Sequence, residues 1–346
     1  MPSDPRARTR NLLAACACAA AAWCVSVAAL ERLARWAEAR PNVYLWWWEE
    51  WMQLFSPNNY VGRGDGRVLL CGASEMREGF LVDELALALP GHSVYQDACS
   101  LATLQSVRLR LEYIETVHGP SAMPDAVVLG LTPRFCLDLP PTAEVPAIAA
   151  IDRYSPRARV DFGQRPPRLA EKGLMEGLAA RRRLLAHQGV RYRAAVMAAG
   201  MALQPGALEH LGRGSKLRPP KWHRHRPLDQ GRYAAVAAET RRTWSYALAP
   251  ESVRFELGAI RDLCARHGTL LVPIEMPQAS WVRATYPDGF RTEYRALVQD
   301  ALGGAPPLDL ELLLADAEFF DWAHPTEEGA RRITRAAAQR VAELLP

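Results

Sequence analysis

Three residue types that together turn an alcohol into a nucleophile stand at opposite ends of one region of this chain. The strand-like run Arg67-Val68-Leu69-Leu70-Cys71 leads into Gly72-Ala73-Ser74, and far downstream lies Phe319-Phe320-Asp321-Trp322-Ala323-His324-Pro325-Thr326. A serine hydroxyl is a weak nucleophile at neutral pH and needs a base to take its proton. An imidazole does this when a carboxylate fixes its tautomer and stabilises its cation. Asp321 and His324 are three residues apart, a spacing that lets a turn bring carboxylate to ring. Pro325 ends that turn, Thr326 is suited to cap a helix, and Glu327 and Glu328 suit its first turn. Ser74, after a strand and a glycine, is placed where a hydroxyl is exposed at a sheet edge. Gly72 permits close approach there, and backbone N–H groups at the turn can face an oxyanion.

The elements that must position these groups follow from the hydrophobic pattern. Strands are expected at 67–71, 92–96, 126–131 and 269–274, with a short strand or turn at 308–314. Helices are expected at 81–89, 101–117, 253–266 and 327–345, with Pro90-Gly91, His118-Gly119-Pro120 and His267-Gly268 as stops. Strands alternating with helices predict an α/β fold, a three-layer, doubly wound parallel sheet, and the continuous apolar run 126–131 predicts a strand buried on both faces. Ligands of such sheets bind beyond the carboxyl ends of the strands. Ser74, the loop Asp97 to Ser100, and Thr132 all fall at that edge. Residues from about 138 to 246 break the rhythm and are rich in Pro, Arg and Ala; they read as a helical insertion or lid.

A net charge of +4 over 346 residues is too small for a dedicated nucleic-acid binder. The seven cysteines lack CxxC spacing, which disfavours zinc and redox chemistry and leaves them as small apolar residues. His223 and His225 lack a third ligand and sit in a basic run, so no metal is expected.

Leu12 to Leu30 carries no charge and is long enough to span a bilayer core, which predicts an uncleaved anchor after a short tail (residues 1–31). Residues 32–65 form an aromatic segment, Tyr44-Leu45-Trp46-Trp47-Trp48 onward, and a turn-rich linker. The aromatic rings suit either a membrane interface or packing on the globular domain. The globular domain is placed at 66–346. Three arginines on each side of the apolar run leave orientation open.

Gly72-Ala73-Ser74 and Asp321-Trp322-Ala323-His324 together resemble the first and last blocks of the SGNH (GDSL-like) hydrolase superfamily. The resemblance implies a flavodoxin-like fold, Ser74 as nucleophile, His324 as base, Asp321 as its orienting carboxylate, and no cofactor. The α/β-hydrolase elbow is not met, because Met76 stands where its last glycine would be. In the second block Ala98 lies near the family's glycine, beside Ser100. In the third, Thr132 or Arg134 stands where an asparagine is usual. These departures and the anchor resemble the cell-envelope branch, which includes the alginate O-acetylation proteins and the DltD-like proteins of teichoic acid D-alanylation. That implies a single-pass membrane protein with its domain outside the cytoplasm. It would be an esterase or O-acyltransferase acting on acyl groups of a cell-envelope polysaccharide or related polymer, with a membrane-bound O-acyltransferase as a partner. The alternative is a catalytically weak scaffold that binds polymer or that partner.

Overall fold

The computed structural model describes residues 66–99, 102–137, 146–183 and 247–345, with isolated positions between 14 and 32 and Ala238. The chain divides into two units, Met1–Trp48 with Leu184–Pro219, and Glu49–Arg183 with Pro220–Pro346. The architecture below belongs to the second. In the first, residues 21–26 are helical. Among the described residues no helix is long and apolar enough to cross a membrane. Of the expected anchor at 12–30, residues 14, 18, 19, 21–26, 28 and 29 are described and are helical; its other positions lie outside the described residues, as do the aromatic segment and nearly all of the linker.

Five strands form one parallel sheet: β1 (Gly66–Cys71), β2 (His92–Gln96), β3 (Ala126–Leu131), β6 (Leu270–Glu275) and β7 (Leu308–Asp309), in the order β2-β1-β3-β6-β7. β3 is buried at every residue, as its continuous apolar character predicts. Alternate side chains supply two cores. Leu69, Cys71, Val127, Leu129 and Leu131 face one layer; Val68, Leu70, Ala126 and Val128 face the other.

The first layer is built from α3 (Leu104–Tyr113), α5 (Pro250–Arg266) and α7 (Phe290–Ala301). The second contains α1 (Ser74–Gly79), α2 (Val82–Ala88), α6 (Ser280–Arg283) and α8 (Glu327–Leu344). α3 begins with a reciprocal capping box: Thr103 Oγ1 accepts from the Ser106 amide and Ser106 Oγ from the Thr103 amide. Two fully buried arginines fasten this layer. Arg108 Nε donates to Glu256 Oε2 at 2.5 Å and Arg108 Nη2 to the Pro167 carbonyl at 2.7 Å, joining α3 to α5 and to the chain just before Arg168. Arg110 holds Asp97 just beyond β2, Nε to both carboxylate oxygens at 2.7 and 2.8 Å.

The described part of the expected insertion is not wholly helical. It contains α4 (Pro146–Tyr154), an antiparallel pair β4 (Ala158–Asp161) and β5 (Arg168–Glu171), and a helical segment at 174–183. β4 alternates buried Ala158 and Val160 with outward residues, a period-2 signal too short to stand out among the surrounding Pro and Arg. The stretch Leu308 to Leu314 is a strand only at its first two residues. Beyond Asp309 its backbone turns, with Glu311 N taking Asp309 Oδ1 at 3.0 Å.

Candidate functional site

The carboxyl edge of the sheet gathers most of the residues that the sequence singled out. β1 ends at Cys71 and the chain turns through Gly72 with φ +150°, a conformation that L side chains rarely adopt. The turn is also tight: a Cβ on Gly72 would lie 2.8 Å from Met76 Cβ and 3.1 Å from the Gly130 carbonyl oxygen. Glycine therefore lets α1 start immediately after β1 while lying against β3. Ser74 is the first residue of α1 and is half-buried. Gln96 Nε2 donates to the Arg77 carbonyl at 2.8 Å and ties the end of β2 to the end of this short helix.

Asp321 and His324 meet as their spacing predicts. Asp321 Oδ2 lies 2.7 Å from His324 Nδ1, while Oδ1 accepts from the amides of Ala323 and His324 at 2.9 and 2.8 Å. One carboxylate thus closes the turn with one oxygen and holds the ring with the other. Burial works to raise the Asp321 pKa. The imidazole and the two amides outweigh it and hold the carboxyl below its ordinary value, so it is ionised at neutral pH. The ring stacks on Phe320 at 5.7 Å between centroids and is tilted against Trp322 at 6.4 Å. Phe320 N donates to the His324 carbonyl at 3.1 Å, which closes the loop. With Nδ1 committed to Asp321, the remaining ring nitrogen is Nε2. It is buried and has no hydrogen-bond partner among the described residues.

Helix α8 brings this pair to the side of the sheet on which α1 and Ser74 lie. Thr326 caps it, accepting from Gly329 N at 3.3 Å, as expected. α8 packs on α1 and α2. Thr334 Oγ1 accepts from Leu81 N at 3.0 Å, Arg331 Nε meets Glu84 at 3.0 Å, and Gly79 of α1 faces Ile333 and Pro325. The Ser74 hydroxyl, however, does not bond to His324. It donates to Glu75 Oε2 at 3.2 Å. Carboxylate and imidazole are therefore joined, and the serine is satisfied elsewhere.

The remaining candidates divide. Ala98 is fully buried, in a loop whose neighbours Asp97 N and Cys99 N continue the β1 pairing by donating to Leu70 O and Gly72 O at 2.8 and 3.1 Å. Its own amide donates to no described residue. Thr132 directly follows β3 and is 3% exposed, and its Oγ1 has no partner among the described residues. Arg134, in a 3₁₀ turn after Thr132, is partly exposed and has no acidic partner among the described residues. Ser100 lies outside the described residues, as does the His223-Arg224-His225 run. Among the described residues no cluster of His, Cys, Asp and Glu could hold a metal ion. Burial pushes the Cys71, Cys136 and Cys264 thiols up, the last to about 12, so none offers a thiolate at neutral pH.

A second polar constellation lies at the same edge, and sequence reasoning missed it. Arg295 Nη2 meets Glu275 at 3.2 Å, Asp309 at 2.7 Å and Glu311 at 2.8 Å, and Arg291 also pairs with Glu311. Three carboxylates share two guanidinium groups. Burial, with the charges of Glu311 and Asp309 adding to it against Arg295, pushes Glu275 up to about 7. The network fastens the exits of β6 and β7, from which the chain runs on to Asp321. The Arg291/Arg295 spacing of four residues on α7 was its visible signal.

No family model matches the chain, and no curated protein is similar enough to match it.

Proposed function

We propose that this protein is a serine O-acyltransferase or esterase of the SGNH type. In this reading its globular domain is tethered to a membrane through residues 12–30 and acts outside the cytoplasm on acyl groups of a cell-envelope polymer. The observation that carries the reading is the Asp321–His324 pair, whose ring presents an unpartnered, buried Nε2. An imidazole held at Nδ1 by an ionised carboxylate, with its other nitrogen kept from solvent and unpaired, is equipped to take a proton from an alcohol.

Ser74 is the alcohol in this reading. It leaves Glu75, gives its proton to His324 Nε2, and its oxygen attacks the carbonyl carbon of an acyl ester. The tetrahedral oxyanion is held by the Ser74 amide and the Ala98 amide, with the Thr132 hydroxyl or Arg134 in place of an asparagine. The ester C–O bond breaks, His324 returns the proton to the departing oxygen, and an acyl-Ser74 ester is left. Water or a sugar hydroxyl then gives its own proton to Nε2, takes the acyl group, and restores Ser74. Throughout, Asp321 stabilises the imidazolium without itself becoming protonated.

A second reading is favoured by the Ser74–Glu75 bond: a domain of this fold that binds polymer or a membrane-bound O-acyltransferase and whose serine stays unused. Stopped-flow release of p-nitrophenol from p-nitrophenyl acetate by the full-length protein separates the two. The enzyme gives a burst of one equivalent that Ser74→Ala and His324→Ala both abolish. The scaffold gives none in the wild type.

A further inference from the structure

α1 carries two buried glutamates whose surroundings differ. Glu78 is paired with Arg77 at 2.9 Å. Glu75 is 7% exposed and has no cationic partner among the described residues; the Ser74 hydroxyl is its one described donor. A buried carboxylate needs donors, because its loss of hydration is offset only by hydrogen bonds. Among the described residues a single O–H does this work.

That arrangement cannot persist through the reaction proposed above, on which this inference rests. Once Ser74 Oγ is esterified it has no proton to donate. Glu75 Oε2 is then left without its donor beside the new ester. The next O–H group to enter is drawn to it. We infer that Glu75 is the acceptor-binding residue of the second half-reaction, and that it selects a polyol such as a sugar over a simple monohydric alcohol. A polyol can donate one hydroxyl to Glu75 and present its neighbour to the ester carbon. A monohydric alcohol has a single O–H, so donating it to Glu75 withholds that proton from His324 Nε2 and takes the oxygen from the attack.

The transfer balances without any further reactant. The attacking hydroxyl gives its proton to His324 Nε2 as its oxygen bonds to the acyl carbon. The bond from that carbon to Ser74 Oγ breaks, and Oγ recovers the proton from Nε2. Glu75 accepts a hydrogen bond from the polyol throughout and takes no proton. When the acylated polyol leaves, the Ser74 hydroxyl returns to Glu75.

The test is product partitioning by the full-length protein with p-nitrophenyl acetate as acyl donor and glycerol or methanol at equal concentration as acceptor. The ratio of glycerol ester to methyl ester formed is independent of how fast Ser74 is acylated and of how much protein is active. Loss of a hydrogen bond to a charged group predicts that Glu75→Met lowers this ratio by about tenfold or more, with Glu75→Gln, which keeps a neutral acceptor, in between. An equal ratio in wild type and Glu75→Met, or no transfer to glycerol by an acylated wild type, overturns the role of Glu75 while leaving Ser74 as nucleophile. A wild type that forms no acyl-enzyme overturns both.

Discussion

Glu275 makes a stability prediction whose size and sign follow from its surroundings. It ends β6, is 7% exposed at the side chain, and shares Arg295 with Asp309 and Glu311. Its pKa of about 7 in the folded chain compares with an ordinary value of 4.5. A separation of about 2.5 pH units at about 1.4 kcal/mol per unit gives about 3 kcal/mol. The sign follows from proton counting. Between the two values the folded state holds the proton and the unfolded state has lost it, so stability falls as pH rises. The contribution is whole below about pH 4.5 and is lost as pH passes about 7. Glu275→Gln has no proton to lose. Urea unfolding of wild type and variant from pH 4 to pH 8 should therefore show the variant gaining about 3 kcal/mol on the wild type across this range. A difference that stays constant, or a wild type that gains on the variant with rising pH, would refute the reasoning. The second result would mean that Arg295 holds Glu275 ionised.

Other substitutions probe the elements that hold the site. Arg110→Met leaves Asp97 buried without its guanidinium and should cost about 3–5 kcal/mol in urea unfolding. Gly72→Ala brings a Cβ to 2.8 Å from Met76 Cβ at φ +150°, and should lower the melting temperature and slow the burst with p-nitrophenyl acetate together. Asp321→Asn should cut acylation of Ser74 by several orders of magnitude, read from burst kinetics, because an amide leaves the imidazolium without its counter-charge. Thr334→Val removes the acceptor of the Leu81 amide and should destabilise the α8–α1/α2 contact by about 1–3 kcal/mol in thermal melts.

Much of this frame is readable from the chain. The strands at 92–96 and 126–131 coincide with their expected limits, and 67–71 and 269–274 differ by one residue, because a glycine or proline (Gly66, Gly91, Pro124, Gly268) stands just before each run. The final helix begins at Glu327 as expected, since Thr326 is both a cap and the residue after a proline. α7 was overlooked although Phe290, Tyr294, Leu297, Val298 and Ala301 repeat at helical spacing, and Gly289, at φ +77°, marks its start. The Asp321–His324 contact was legible because it is local: three residues and one turn decide it. The Ser74–Glu75 bond was not. In the sequence Glu75 is simply the residue after Ser74 at a helix start, and only the packing of α1 shows that its carboxylate is buried and accepts from the Ser74 hydroxyl. The Glu275–Arg295 network escaped for a similar reason, since its members lie on β6, α7 and the turn beyond β7 and meet only in the folded sheet.

The central claim is that Ser74 is a nucleophile activated by His324. Its most direct test is fluorophosphonate labelling of the full-length protein, with the labelled peptide identified by mass spectrometry. The account predicts one adduct, on Ser74, that is lost in His324→Ala at unchanged melting temperature. A folded wild type that takes no label at Ser74, or an adduct whose rate of formation is the same in His324→Ala, would contradict it.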